Sequence, residues 1–155
     1  MHHRSDGFTL IELMIVIVLI GILLGMVSLA MGQNPARQAR QEASNIVSLI
    51  HHLRERAVLD GLDYGVRLSA DGYRGMRLAG QGWESITLFY PWPDNLRMHL
   101  ELDGGISSLG ADDGPPQLLM LSSDETSVFT LTFMTADTTW LSLSSDGIGE
   151  VLIDG

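Results

Sequence analysis

The chain has 155 residues, enough for one membrane span and one small domain. It carries nine Arg, no Lys and 19 acidic residues, so its formal net charge at pH 7 is −10. Such a composition makes the chain a poor ligand for nucleic acid, because nucleic-acid binding depends largely on neutralising phosphates with basic side chains. With no cysteine in the sequence, disulfides, cysteine metal sites and thiol catalysis are excluded.

A short polar leader precedes a long apolar segment at the N terminus. The junction reads Gly7-Phe8-Thr9-Leu10-Ile11-Glu12-Leu13, and the 20 residues 13–32 carry no charge. A helix of that length rises about 30 Å, the thickness of the hydrocarbon core of a bilayer. We therefore predict a leader at residues 1–7 and a transmembrane span at residues 13–32.

These residues resemble the N-terminal signature of type IV pilins and pseudopilins. In that family a prepilin peptidase cuts after the glycine and methylates the new N-terminal phenylalanine. The resemblance implies cleavage between Gly7 and Phe8, N-methylation of Phe8, and an equivalence between Glu12 and the family's glutamate. An ordinary secretory signal would need a small-residue cleavage site after the apolar segment, where only Ala30-Met31-Gly32 offers a poor one.

The single acid at the start of the apolar segment, Glu12, has a physical role in this interpretation. Cleavage would leave an ammonium group on Phe8, four residues before Glu12. In a core of packed apolar helices, an isolated charge costs far more than a paired one. We predict that Glu12 pairs with the ammonium group of its own chain or of a neighbour and so acts in assembly. The alternative is a plain single-span anchor with Glu12 at the lipid headgroups.

A second helical segment follows, and its pattern differs from the first. Apolar residues recur at three- and four-residue spacing from Ala36 to Ala57, which is typical of an amphipathic helix that packs on a sheet. The helix is expected to end near Asp60-Gly61. Pro35 near the join is compatible with a kink or with a new helix start. Together the two segments predict one long helix over residues 8–60.

Beyond residue 60 the hydrophobic period changes from about three and a half residues to two, which is typical of strands. Asp71-Gly72 and Asp146-Gly147 predict turns, and residues 103–117 predict a surface loop rich in Gly, Asp and Pro. The fold class is α+β, with the long N-terminal helix packed on an antiparallel β-rich domain at residues 61–155. The predicted strands are residues 64–69, 73–79, 83–90, 96–102, 118–122, 128–135, 139–144 and 151–153.

Several features could suggest metal chemistry. His51-His52 are adjacent on the predicted helix and point about 100° apart, so they are expected on a wet helix surface. His99 lies on the polar face of a predicted strand. Asp103, Asp112 and Asp113 could hold Ca²⁺ with loop carbonyls, although the loop lacks EF-hand spacing. With no catalytic motif in the sequence, we predict no catalytic residue, no metal, no cofactor and no enzymatic activity.

Two further features have both a structural and a functional interpretation. The spacing of Gly21 and Gly25 matches the GxxxG pattern of closely approaching helices, and is equally compatible with ordinary glycines of a span. Trp92 lies between two prolines, which predicts a loop position and an exposed contact. Trp83 and Trp140 are predicted in strands.

The rest of the chain resembles the H-type minor pseudopilins of the type II secretion system. The resemblance rests on residues 56–58, 61–67, 71–73 and 146–149, and on Ser122-Ser123-Asp124-Glu125-Thr126-Ser127-Val128-Phe129. In that last segment the family often has Gly where Asp124 stands and Pro where Val128 stands. The resemblance implies a structural subunit at or near the tip of the pseudopilus, a short periplasmic filament that helps export folded proteins. A minor pilin of a type IV pilus, acting in adhesion, motility or DNA uptake, is the alternative.

The resemblance also implies partners and a location. The partners are the prepilin peptidase, the major pseudopilin and other minor pseudopilins, with no nucleic acid. The expected location is the inner membrane of a Gram-negative bacterium, crossed once, with the C-terminal domain in the periplasm and the chain in the pseudopilus after assembly.

Overall fold

The computed structural model describes residues 9–30 and 34–155, and the side chains of residues 25–30 are outside the description. Contacts divide the chain into two compact units, Met1–Asn34 and Pro35–Gly155. The predicted leader, with Gly7 and the N-methylation site Phe8, lies outside the described residues.

The first unit contains helix α1, Leu10–Ala30. Every side chain described in α1, from Leu10 to Leu24, is exposed in the isolated chain. Within residues 9–30 and 34–155, no helix combines the length and the apolar character that a membrane crossing requires.

The second unit begins with helix α2, Pro35–Asp60. Pro35 is the first helical residue, a position where its missing N–H costs no helical hydrogen bond. Gly61 follows the helix with a φ of 64°, the left-handed conformation that commonly ends a helix. The predicted helix end is therefore confirmed. The prediction of one continuous helix over residues 8–60 depends on residues 31–33, which lie outside the described residues.

One face of α2 is buried, as its hydrophobic spacing predicts. The six buried side chains of α2 recur every three or four residues, and they pack against strands of both sheets described below. They are Ala39, Ala43, Ile46, Ile50, Leu53 and Ala57.

Two antiparallel sheets follow α2 within the described residues, which confirms the α+β class. The strands of the first sheet are β1 Tyr64–Leu68, β2 Gly72–Ala79, β3 Gly82–Ser85, β4 Tyr90–Pro91 and β7 Leu118–Met120. Those of the second sheet are β5 Arg97–Leu102, β6 Gly105–Ser107, β8 Phe129–Met134, β9 Thr139–Ser145 and β10 Leu152–Asp154. The first sheet has the strand order β3-β2-β1-β7, with β4 also paired to β2. The second sheet has the order β10-β9-β8-β5-β6.

Two strand predictions differ from the structure. The predicted strand 83–90 is interrupted between β3 and β4, because the Thr87 hydroxyl accepts the hydrogen bond of the Gly75 N–H at 2.8 Å in place of a backbone carbonyl. The predicted loop 103–117 contains β6. Asp103 and Gly104 have φ angles of 48° and 79°, which form a tight two-residue turn between β5 and β6.

The prediction of an exposed Trp92 is wrong. Its side chain is only 8% exposed, and its indole N–H donates to the Ser69 carbonyl at 2.9 Å. The ring lies 4.8 Å from the Tyr73 ring and meets the edge of Phe133 at 6.4 Å, measured between centroids. Trp92 does lie outside the strands, but it closes the core between the two sheets. Trp83 in β3 and Trp140 in β9 are strand residues, as predicted.

The described side chains of the hydrophobic core come from α2, the two sheets and the segments that join them. Within the residues that the structure describes, the second unit therefore has a core of its own.

Replacing Trp92 tests its place in the core. Trp92→Ala should lower the free energy of unfolding by about 3–5 kcal/mol, because it leaves a large cavity. Trp92→Phe should cost about 1–2 kcal/mol, since it keeps an aromatic ring but leaves the Ser69 carbonyl without its donor. Urea unfolding of residues 35–155 measures both. Leu88→Ala is the control, because Leu88 is 80% exposed; a wild-type midpoint for Trp92→Ala would contradict the buried position.

Candidate functional site

The first turn of α1 positions Glu12. The Glu12 N–H donates to the Thr9 carbonyl at 3.0 Å and also lies 3.4 Å from the Thr9 hydroxyl. The Leu13 N–H donates to the same carbonyl at 3.2 Å. Thr9 is therefore the N-cap of α1, and Glu12 occupies the third helical position, which is the residue spacing of a capping box. Sequence reasoning missed Thr9, although the Thr-x-x-Glu spacing before an apolar run signals it.

The Glu12 carboxylate lies where α1 favours negative charge. Its position in the first turn places it near the positive end of the helix dipole. The side chain is exposed, and no salt bridge among the described residues includes it. Its pairing with the ammonium group of Phe8 stays a prediction, since Phe8 lies outside the described residues.

Gly21 lies on an open face of α1. A Cβ atom added there would meet no atom within 4 Å, so another helix could approach closely at this point. Such an approach, like the role of the Gly21–Gly25 spacing, stays a prediction.

The C-terminal end of α2 is fixed to β1 through one carboxylate. The Tyr64 hydroxyl donates to Asp60, and the Arg56 guanidinium lies 3.1 Å from the same carboxylate oxygen. The Tyr64 hydrogen bond, followed by those of Arg56, holds the pKa of Asp60 below its usual range. The ionised form of Asp60 is thus favoured, and the end of α2 is held to the first sheet.

Arg54 joins α2 to two distant loops. Its guanidinium donates to an Asp124 carboxylate oxygen at 2.7 Å and to the carbonyls of Asp124, Ile148 and Gly149 at 3.0, 2.8 and 2.9 Å. The Arg54 side chain is only 19% exposed. Hydrogen bonds to a charged guanidinium are among the stronger ones in proteins. Arg54 therefore holds the 121–126 turn and the 146–150 loop against the helix.

The 146–150 loop is also closed on itself. One Asp146 carboxylate oxygen accepts the N–H of Gly149 at 2.7 Å and that of Ile148 at 3.0 Å. These two backbone donors, Gly149 first, hold the pKa of Asp146 below its usual range. Gly147 adopts a φ of 90°, which favours glycine. The loop is therefore a rigid wall beside α2.

Asp112 and Asp113, two of the three aspartates of the 103–117 segment, are engaged by arginines. Arg74 binds Asp112, and Arg67 lies 3.6 Å from Asp113 while donating to two carbonyls of the segment. No group of three His, Asp or Glu side chains in the part of the chain that the structure describes is placed to hold a metal ion.

Two of the three described histidines lie near a carboxylate. His51 and His52 are both exposed, and His51 lies 3.5 Å from Glu55. His99 is half-buried and lies 3.6 Å from Glu101.

The capped apolar helix α1, and α2 packed on antiparallel sheets, define a pilin-like protein. Residues 2–28 match the family described as the prokaryotic N-terminal methylation motif. The fold is similar to the minor pseudopilin EpsH from the type 2 secretion system of Vibrio cholerae, with a TM-score of 0.66, 25% identity and coverage of 76% of this chain and 96% of that one. The solution structure of E. coli GspH shares the fold, with a TM-score of 0.62, 21% identity and coverage of 76% and 88%.

Sequence relatives narrow the class to a family. The chain is 38% identical to type II secretion system protein H of Pseudomonas aeruginosa, over 92% of each chain. It is 28% identical to the protein of the same name from Aeromonas hydrophila, over 87% of this chain and 84% of the relative. The chain belongs to the type II secretion system protein H family, the H-type minor pseudopilins.

Replacing Arg54 tests the junction that it forms. Arg54→Gln should lower the free energy of unfolding by roughly 2 kcal/mol, because a charged donor is lost and three carbonyls lose their partner. Backbone N–H groups in the 146–150 loop should also exchange faster with deuterium than in the wild type. Arg37→Gln is the matched control, since it removes the same charge from an exposed position of α2. Unchanged exchange in Arg54→Gln would contradict the proposed junction.

Proposed function

We propose that this chain is a non-enzymatic structural subunit at or near the tip of the type II secretion pseudopilus, where it helps export folded proteins across the outer membrane. The observation that carries the proposal is the apolar helix α1, capped by Thr9, with Glu12 in its first turn. Family membership supports the filament, because the relatives of this chain are named for the type II secretion system. These names favour the pseudopilus over a type IV pilus.

The N-terminal processing belongs to the same proposal. A prepilin peptidase cuts after Gly7 and methylates Phe8, so that the mature chain begins one residue before the N-cap of α1. The methylation motif over residues 2–28 supports this step.

The surface of α1 supports a role in assembly. From Leu10 to Leu24, each large apolar side chain is between 40% and 79% exposed in the isolated chain. A contiguous apolar surface of this kind is normally covered by lipid or by other protein. In our proposal the inner membrane covers it first, with residues 13–32 as the span and the β-rich domain in the periplasm. The helices of the major pseudopilin and of other minor pseudopilins cover it afterwards.

In our proposal, Glu12 directs the transfer of α1 from the membrane into the filament. Within a bundle of apolar helices its carboxylate needs a cation, and the processed N terminus supplies one. The pair is made in the filament with the ammonium group of an adjacent subunit, so it fixes the axial stagger of the helices. Glu12 is thus an assembly residue, and no reaction is assigned to the chain.

Blocking the cleavage tests the processing step. Gly7→Ala should leave the chain at its full length and abolish secretion, because the uncut leader keeps the Phe8 nitrogen in a peptide bond and provides no ammonium group there. Mass spectrometry of the purified chain and an assay of secreted proteins in the medium measure the two effects. Normal secretion by cells that hold only the uncut chain would contradict the proposal.

Neutralising Glu12 tests the charge pair separately from cleavage. Glu12→Gln should be cut at Gly7 as usual, but its amount in sheared filaments should fall at least tenfold, because a buried ammonium group loses its partner. Immunoblots of filament and membrane fractions measure the ratio. Glu125→Gln, which neutralises an exposed acid in the 121–126 turn, is the control and should assemble normally. Normal incorporation of Glu12→Gln would show that the pair does not direct assembly.

A further inference from the structure

One flank of α2, beside its buried stripe, forms a groove with the C-terminal loop. We define the α2 groove as the two adjoining cavities, of about 290 and 570 Å³, that share His51, Arg54 and Glu150. We propose that this groove is the docking site for a segment of a neighbouring pseudopilin that carries apolar and basic side chains. The proposal rests on the proposed function and adds to it the surface and the chemistry of the contact.

The floor and the lip of the α2 groove are apolar. Val47, Ile50 and Val151 line one cavity, and Val58 and Leu59 line the other. Val58 is 48% and Leu59 80% exposed, so part of this apolar surface is uncovered in the isolated chain. Apolar side chains gathered in a concave surface favour an occupant that removes them from water.

The rim of the α2 groove is acidic. Glu55, Asp124 and Glu150 line it, and all three are exposed. The only arginine of the lining is Arg54, whose charge is already matched by the Asp124 carboxylate and three carbonyls. His51 faces Glu55 at 3.5 Å. The groove therefore presents more negative than positive charge, which complements a segment with Lys or Arg.

The part of the sequence that surrounds the groove adds further negative charge. After Arg97 the chain has no Lys or Arg, while residues 101–154 contain ten Asp and Glu. The 121–126 turn and the 146–150 loop both belong to this acidic part of the chain. A basic occupant is thus favoured at long range as well as at the rim.

One polar group in the groove lacks a partner. Thr126 lines the smaller cavity and is only 8% exposed, yet its hydroxyl has no hydrogen-bond partner among the described residues. Buried hydroxyls are nearly always hydrogen-bonded in native proteins. A partner that reaches this cavity can supply the missing hydrogen bond.

The groove is also preformed. Arg54 holds both walls to α2, and the Asp146 carboxylate closes the loop that forms one of them. A rigid site loses little conformational entropy on binding, so a modest apolar and ionic contact suffices for docking.

A second copy of this chain is a poorer occupant than a different pseudopilin. Two copies that met symmetrically through the groove would oppose Glu55 and Glu150 to the same acids of the partner. Each copy also carries a net charge of −10. We therefore assign the groove to a different subunit.

Site-specific crosslinking in secreting cells tests this assignment, because the chain has no cysteine of its own. Val58→Cys in the full-length chain places one thiol in the groove, and a maleimide–benzophenone reagent links it to whatever lies there. The probes are the other pseudopilins of the same secretion system, each carrying an epitope tag in turn. We expect one of them to give an adduct with Val58→Cys. Ile106→Cys in β6, 77% exposed and outside the groove, is the control and should give at least tenfold less.

Charge changes in the same background test the chemistry. Adding Glu55→Arg and Glu150→Arg should lower the adduct at least tenfold, and the milder pair Glu55→Gln and Glu150→Gln should lower it about threefold. The milder pair keeps the test valid if the reversed pair fails to fold. An adduct that no charge change affects, an adduct only with a second copy of this chain, or no adduct from Val58→Cys would each overturn the proposal.

A deletion strain separates this inference from the proposed function. If secretion requires the chain but Val58→Cys gives no adduct, the groove assignment is wrong and the pseudopilus role stands. If the deletion strain secretes normally, the proposed function itself is wrong.

Discussion

The buried stripe of α2 is the contact on which the rest of the globular unit depends. Ala39, Ala43 and Ala57 are fully buried, and their small side chains let the helix lie close to the strands. The helix contacts β1 and β7 of one sheet and β9 of the other. It therefore joins two sheets between which no strand pairing occurs among the described residues. This arrangement turns two half-covered sheets into one core. It also leaves one flank of α2, with Arg54 and Val58, to line the groove.

Much of this fold could be predicted from local sequence. The stripe of α2 and its end before Gly61 follow from a 3.6-residue period and from glycine at the helix end. Most strands follow from alternation of period two. The β5–β6 turn was also within reach, since Asp103-Gly104 is a strong hairpin signal that the loop-like composition of the segment obscured. The break after β3 could not be predicted from local sequence, because the Thr87 hydroxyl competes with the backbone for the N–H of Gly75, twelve residues away.

Individual residues of structural or proposed functional importance also differ in how far local sequence reveals them. Glu12 stands out in the sequence because a charge inside a long apolar run is costly, and Thr9 follows from its spacing to Glu12. The role of Arg54 cannot be predicted from local sequence, because its partners lie 70 to 95 residues further along the chain. The same holds for Trp92, which two flanking prolines place on a loop but which folding buries against Tyr73 and Phe133. Long-range contacts of this kind carry no local signal.

The edges of the two sheets limit unwanted pairing with the sheets of other molecules. β3 has four residues, and β6, β7 and β10 have three each, so every sheet ends in a very short strand. Short edges offer too few free backbone groups to template a foreign strand, a common protection against amyloid-like stacking. A molecule with such edges can be crowded beside its own kind while its sheets are protected from fusing edge to edge.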